Sequence, residues 1–346
     1  MQIVKRMLAQ MNRCYAVANM EIRGERRLLV ATEGEGPCLA FSGPGYGTQE
    51  TVWEGPGGTM SMVEIPGTGG CFLAVQKFFR MFQWEEAKVV WVTPQADGSY
   101  EIHDVLRLPY IHRFDILRGG DRLFFLGCTL AEKKESKDDW SQPGGMHVAE
   151  LDLTTRGLKA LTLLKDGMTQ NHGYTRTVID GRDTGLATCR EGVFAVTPPQ
   201  SPDGVWQVRQ WMDRPVSDVA ALDIDGDGEL ELATIEAFHG DRFRVYKKRD
   251  GRFEPVFEHP ETTEFYHVVK PAVLAGEPVF IGGCRRGLQQ LFYVRVAERA
   301  PLRLEAVLIE EGVGPSNVDV FHEAGCDCIL SANREKAEAA LYVVTP

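Results

Sequence analysis

The repeating unit of this chain is clearest in the stretch Ser217-Asp-Val-Ala-Ala-Leu-Asp-Ile-Asp-Gly-Asp-Gly-Glu-Leu-Glu-Leu-Ala-Thr-Ile235. It holds a short apolar segment, an acidic turn rich in glycine and a second apolar segment, which is the pattern of two strands joined by a tight turn. The second segment has counterparts in Gly185-Leu-Ala-Thr-Cys-Arg190 and Val279-Phe-Ile-Gly-Gly-Cys284. The sequence is therefore built from a recurring pair of strands.

Seven copies of this unit follow one another at intervals of roughly 40 to 60 residues, a spacing typical of propeller blades. The first strands begin near Ala16, Thr59, His112, His172, Ser217, His267 and Ser316. Each repeat has room for about four strands. The sequence predicts one all-β domain over residues 1–346, a seven-bladed β-propeller with blades at about 11–57, 58–109, 110–167, 168–215, 216–260, 261–312 and 313–346 plus 2–10.

The last blade lacks an outer strand of its own, because the chain stops soon after Tyr342-Val-Val-Thr-Pro346. A strand-like segment at the other terminus, Gln2-Ile-Val-Lys-Arg-Met-Leu8, has no other place in the pattern. We expect this segment to complete the last sheet and close the ring, which would leave no long unpaired edge.

Composition excludes several classes of protein. The chain has 346 residues, of which 43% are apolar, and 38 Lys and Arg against 49 Asp and Glu, a formal charge of −11. Neither a disordered chain nor a nucleic-acid binder fits these values. No apolar run is long enough for a membrane span or an export signal, and the eight scattered cysteines suit free thiols, so we expect a cytoplasmic protein.

The acidic turn after Leu222 carries the side chains of a calcium loop. Asp223, Asp225, Asp227 and Glu231 alternate around glycines, as oxygen ligands do when a short loop wraps Ca²⁺. In this turn the sequence resembles the FG-GAP or VCBS class of propeller repeats. The resemblance implies a structural calcium ion at these four residues; an Asp/Gly turn without metal is the alternative.

Three of the eight histidines lie at matching positions of their repeats. His112, His172 and His267 each stand at the start of a first strand, at the same spacing from the end of the second strand. They should point into the central channel near one mouth, where neutral imidazoles could bind Mn²⁺, Zn²⁺ or Fe²⁺. Glu236, beside a loop of the same face, is a further candidate ligand. Hydrogen-bonded structural histidines are the alternative.

Loops between second and third strands gather at the same face. Arg190, Arg285 and Arg334 are in register there, and a guanidinium binds carboxylate or paired hydroxyl oxygens. They could orient an oxygen-rich substrate or form salt bridges between blades with Glu191, Glu236 and Glu335.

Two of these loops are enlarged and aromatic. One runs over Lys77-Phe-Phe-Arg-Met-Phe-Gln-Trp84, after Gln76, and the other over 131–145 with Trp140. Aromatic rings beside polar groups commonly bind sugar faces, so Gln76, Lys77, Trp84 and Trp140 are candidate substrate contacts. Simple packing of these rings on neighbouring loops is the alternative.

The histidines and arginines together resemble the mouth of propeller-fold carbohydrate lyases, in particular the propeller part of aldos-2-ulose dehydratases. That resemblance implies a metal-dependent lyase or dehydratase, with a metal polarising a carbonyl and a base driving β-elimination on an oxidised sugar or glycoside. His239 and Tyr174 are the candidate bases. A non-catalytic propeller that binds a glycan or a protein, and a metal-dependent sugar isomerase or epimerase, are the alternatives.

Overall fold

Short strands separated by tight turns dominate the computed structural model, which describes residues 1–78, 84–261 and 263–346. The first half contains β1 (Gln2–Gln10), β2 (Cys14–Ile22), β3 (Glu25–Thr32), β4 (Cys38–Ser42), β5 (Thr48–Trp53), β6 (Met62–Glu64), β7 (Phe72–Gln76), β8 (Lys88–Pro94), β9 (Tyr100–Arg107), β10 (Ile111–Gly119), β11 (Arg122–Thr129), β12 (Ala131–Lys133), β13 (Gln142–Asp152), β14 (Gly157–Leu158) and β15 (Thr162–Met168). The second half contains β16 (Tyr174–Ile179), β17 (Arg182–Cys189), β18 (Gly192–Thr197), β19 (Gln207–Met212), β20 (Asp218–Leu222), β21 (Glu231–Glu236), β22 (Arg242–Arg249), β23 (Arg252–Glu258), β24 (Tyr266–Leu274), β25 (Glu277–Cys284), β26 (Leu291–Arg299), β27 (Leu302–Glu310), β28 (Asn317–Glu323), β29 (Cys326–Asn333) and β30 (Glu338–Thr345). Two 3-10 turns, Pro44–Tyr46 and Trp84–Glu86, lie in loops. In the described residues no helix is long and apolar enough to span a membrane.

Neighbouring strands in the described part of the chain form seven sheets. Six are made of consecutive strands: β2–β5, β6–β9, β10–β15, β16–β19, β20–β23 and β24–β27. Every pairing within them is antiparallel, as short connecting turns require. The predicted seven-bladed β-propeller is confirmed.

The seventh sheet joins the two ends of the chain. Its strand order is β1-β30-β29-β28, with Gln2 opposite Thr345 and Gln10 opposite Glu338. Lys5 Nζ on β1 donates to Glu310 Oε1 of the preceding blade at 2.9 Å, and it also pairs with Glu338. The predicted closure of the last blade by the N-terminal strand is confirmed.

The second strands form the interior of the disc. All five residues of β7 and all six of β21 are buried, and Leu232 and Ile235 are fully so. Sheets pack against both faces of each blade, so the interiors of these strands are mostly apolar instead of alternating between apolar and polar residues.

First strands line a central cavity of about 490 Å³. They start at the face of the disc where the loops between second and third strands also lie. We call this end the histidine face, because His112, His172 and His267 stand there, and the other end the open face. The outer strand of the third blade is irregular: β15 runs over Thr162–Met168 and pairs with β13 through two register shifts.

Candidate functional site

Four histidines meet at the histidine face. The ring of His172 lies 4.3 Å from that of His112 and 5.4 Å from that of His267, measured between centroids. A fourth ring, that of His239 from the loop after β21, comes within 4.5 Å of His172. His112, His172 and His267 are almost completely buried, whereas His239 is half-buried. Together they close this end of the channel.

Backbone carbonyls orient the three first-strand histidines in the same way. His112 Nδ1 donates to the carbonyl of His172 at 3.0 Å, and His267 Nδ1 donates to that of Ser316 at 2.6 Å. His172 Nδ1 makes the equivalent, longer bond to the carbonyl of Ser217 at 3.3 Å. In each case the acceptor residue stands at the start of the first strand of the following blade. The Nε2 lone pairs are therefore directed toward the channel axis.

Three further contacts involve the Nε2 atoms. His239 Nε2 lies 2.9 Å from His172 Nε2 and donates to it, because the proton of neutral His172 is on Nδ1. Tyr15 OH lies 3.4 Å from His112 Nε2 and 3.3 Å from His267 Nε2. Hydrogen bonds thus connect the four histidines and Tyr15, which belong to five blades.

Burial and nearby guanidiniums keep these imidazoles neutral. Burial, followed by the charge of Arg113, lowers the pKa of His112 well below its usual value. The pKa of His239 falls to about 3 through burial and the charges of Arg285, Arg113 and Arg286. At neutral pH these rings are hydrogen-bonding groups or metal ligands rather than acids.

Aromatic rings cover the histidines. Phe238 and Phe265 both stack on His239, with centroids 4.1 and 4.3 Å away, and Trp140 meets Phe238 edge-on at 5.2 Å. Phe238, Phe265 and Trp140 are half-buried, so each offers part of its ring to solvent. The predicted sugar contact Trp140 is packed on an aromatic neighbour.

In the described part of the other enlarged loop, the aromatic rings also pack on one another and on a histidine. Trp84 stacks on Phe78 at 5.0 Å, and Phe78 meets His112 edge-on at 5.2 Å. Gln76 is buried at the end of β7, and Lys77 Nζ pairs with Glu86 at 3.4 Å. The part of the predicted loop at 79–83 lies outside the described residues.

The in-register arginines have different surroundings. Arg285 Nε donates to Glu335 at 3.0 Å, and Arg334 Nε donates to Glu33 at 2.7 Å, so both link neighbouring blades. Salt bridging between blades, the alternative to substrate binding, is thus present for these two. Arg190 is exposed and makes no ion pair within the described residues.

Neither candidate base is suited to abstracting a proton. Burial and the neighbouring Asp115 raise the pKa of Tyr174 well above its usual value, the opposite of what a phenolate base needs. His239, with a pKa of about 3, is a weak base that already hydrogen-bonds His172. The structure also leaves Glu236 out of the cluster, because its carboxylate binds Tyr246 OH at 2.7 Å and Arg244 at 3.1 Å within its own blade.

A lysine occupies the centre of the predicted calcium loop. Lys247 Nζ, on β22, lies 2.8 Å from carboxylate oxygens of Asp225 and Asp227 and 2.7 Å from Glu231. The Asp223 carboxylate accepts backbone N–H bonds within the turn, the first from Gly226 at 2.7 Å. An ammonium therefore supplies the positive charge that the sequence pattern assigned to Ca²⁺.

Several residues of the site carry no motif that would single them out. Tyr15, Phe238, Phe265 and Arg286 come from four different segments, and Tyr15 of the first blade reaches His267 of the sixth across the channel. The place of Lys247 could have been predicted from the sequence. The strands β21 and β22 pair with Leu232 opposite Tyr246, so Lys247 lies beside Glu231.

No protein-family model matches the chain, and no curated protein is similar to it in sequence. Solved structures are similar in fold. Sqt1 of Saccharomyces cerevisiae matches with a TM-score of 0.57 and 10% identity over 95% of this chain and 83% of its own. The Cps50 (Swd1) β-propeller domain of Myceliophteria thermophila matches with a TM-score of 0.61 and 11% identity over 99% of this chain and 100% of its own. At such low identity these likenesses show the propeller fold alone.

The prediction of a metal-dependent carbohydrate lyase is wrong. The resemblance to FG-GAP repeats and to aldos-2-ulose dehydratases, on which this prediction rests, finds no match, and the solved structures that match give only the propeller fold. The site agrees with this correction: both candidate bases have unsuitable pKa values, and two of the three arginines are tied between blades. The small sugar substrate was predicted only as the substrate of this lyase, so that prediction is corrected together with it.

Proposed function

We propose that this chain is a non-catalytic propeller that binds a protein partner on its histidine face. The observation that carries the proposal is a surface patch made of Phe238, His239, Phe265, Arg285 and Arg286, which we call the aromatic–arginine patch. Both guanidiniums lie 4.9 Å from the centroid of the Phe265 ring. Aromatic rings and arginines are the residues that most often dominate the binding energy of protein interfaces.

The charge of the patch favours an acidic segment of the partner. Arg286 is exposed and has no ion-pair partner in the described residues, unlike Arg285. All the charges that shift the pKa of His239 are positive. A peptide with carboxylates beside an apolar side chain would pair with Arg286 and cover Phe265.

The supporting contacts make the patch a firm platform. Phe265 and Phe238 both rest on His239, whose ring is held by His172, and Ser217 Oγ accepts from the His239 backbone N–H at 3.1 Å. A preformed surface loses little side-chain freedom when a partner binds.

Selection from a random peptide library on the immobilised protein tests the proposal. We expect enriched peptides to carry Asp or Glu next to an apolar residue. Their affinity should fall roughly tenfold or more for Phe265→Ala and Arg286→Ala, as for interface hot spots. Arg209→Ala, which removes an exposed arginine from the outer strand of another blade, is the matched control and should bind normally. Absence of enrichment, or peptides that bind all variants equally, would overturn the proposal.

A further inference from the structure

A second property of the histidine face is independent of partner binding. One ring nitrogen from each of His172, His239 and His267 lies within 4.8 Å of the other two, a spacing at which three ligands can share one metal ion. The three rings come from the start of blade four, the loop after β21 and the start of β24, so the cluster forms where three consecutive blades pack around the channel.

The orientation of the rings suits a metal. Nδ1–H bonds to the carbonyls of Ser217 and Ser316 fix His172 and His267 in the tautomer whose Nε2 is free to coordinate. Such a bond from the second nitrogen is the usual support of a metal-bound imidazole. His112 has the same tautomer but falls outside the group of three, and Tyr15 OH lies between the Nε2 atoms of His112 and His267.

We propose that His172, His239 and His267 bind one divalent transition-metal ion, with Zn²⁺ the best match. Three neutral imidazoles and an open position are an established zinc donor set, and the absence of a carboxylate from this group disfavours Mg²⁺ and Ca²⁺. The ion replaces the hydrogen bond between His239 and His172 and ties the 237–241 loop to the first strands. It thereby holds Phe238 over the channel.

Metal content of untagged protein purified without chelator, and zinc titration of the stripped protein, test the inference. We expect about one zinc ion per chain and its loss in His239→Ala, whose half-buried loop position tolerates truncation better than a first-strand histidine. Cys326→Ser is the matched control, because Glu323, Cys326 and Cys328 form a separate group that could take zinc. That variant should keep the ion.

Substitution with Co²⁺ provides a second readout that does not depend on a variant folding. We expect visible ligand-field bands of a nitrogen-bound ion without the near-ultraviolet charge-transfer band of a thiolate. A stripped wild-type protein that binds neither Zn²⁺ nor Co²⁺, retention of the ion by folded His239→Ala, or a thiolate band would overturn the inference. Each of these results leaves the peptide-binding proposal standing, because the Phe265 and Arg286 variants test that separately.

Discussion

Lys134 is a buried cation whose side chain has no hydrogen-bond partner among the residues that the structure describes. Only 4% of the residue is exposed, and Nζ lies 3.0 Å from the centroid of the Trp140 ring and 5.8 Å from that of Trp84. Aromatic faces attract a cation but do not replace its hydration shell. Burial consequently lowers the pKa of Lys134 to about 8.

Replacing this lysine should stabilise the protein at neutral pH. The folded chain binds fewer protons than the unfolded chain between about pH 8 and the ordinary lysine value of 10.5, so the wild type gains stability as the pH rises through that range. We expect Lys134→Met to raise the free energy of unfolding by on the order of 1 kcal/mol at pH 7, and the advantage to shrink toward pH 10. Denaturant unfolding at both pH values measures this.

The exposed neighbour Lys133 supplies the control for that comparison. Lys133→Met should change stability little at either pH. An advantage of Lys134→Met that is absent at pH 7, or equally large at pH 10, would show that burial does not disfavour the Lys134 charge.

Lys247 holds together the acidic turn before β21. Its side chain is 15% exposed, and it faces Glu231, which is fully buried, together with Asp225. Lys247→Met leaves these carboxylates without a counter-charge, which should destabilise the protein by about 3 kcal/mol. Thermal or denaturant unfolding of the two proteins gives the difference.

The response of the protein to added Ca²⁺ tests whether Lys247 or a metal ion supplies the positive charge of this turn. Wild-type protein stripped of transition metals should be indifferent to added Ca²⁺, because Lys247 occupies the position. Lys247→Met opens the acidic loop, so added Ca²⁺ should raise its melting temperature. A stripped wild type whose melting temperature rises on addition of Ca²⁺ would restore the predicted calcium site.

Among the elements, β1 has the clearest separate role. It covers the edge of β30 and places Lys5 between Glu310 and Glu338. Deletion of residues 1–10 should lower the free energy of unfolding by on the order of 5 kcal/mol and cause association through the bare edge. Size-exclusion chromatography and thermal unfolding test this.

A synthetic peptide of residues 1–11 completes that test. Added to the shortened chain, it should restore the melting temperature by pairing with β30 in the native register. A shortened chain that remains monomeric and as stable as the wild type would contradict the role assigned to β1.

Individual strands differ in how well the local sequence predicts them. The apolar run at 72–75 lies within β7, because a strand buried on both faces is apolar except at its end, where Gln76 stands. Outer strands are harder: β15 lies against solvent on one side, and its two register shifts leave no clean alternation to read. β6 has only three residues, too few for a pattern.

The site residues also differ in how well the sequence predicts their positions. Equal spacing places His112, His172 and His267 together because each begins a first strand. His239 and Glu236 depend on side-chain direction at the end of β21, where Tyr246 and Arg244 bind the carboxylate and the loop turns the imidazole inward. Spacing along the chain does not encode these partners.

At the scale of the whole molecule, the two ends of the channel differ. Histidines and aromatic rings close one end, whereas the cavity reaches the other between paired polar side chains. There Lys270 binds Asp319 at 3.1 Å, and Asn19 donates to the same carboxylate at 2.6 Å. The exposed Arg286 and the half-buried rings of Phe238, Phe265 and Trp140 thus lie on the histidine face.

Hydrogen–deuterium exchange of the protein with its selected acidic peptide is the most direct test of where the partner binds. We predict slower exchange on peptide binding in the loops at 237–241 and 285–290, with the same segments unprotected in Arg286→Ala. Protection confined to the open face around Lys270 and Asp319, or no protection at all, would contradict a protein-binding histidine face.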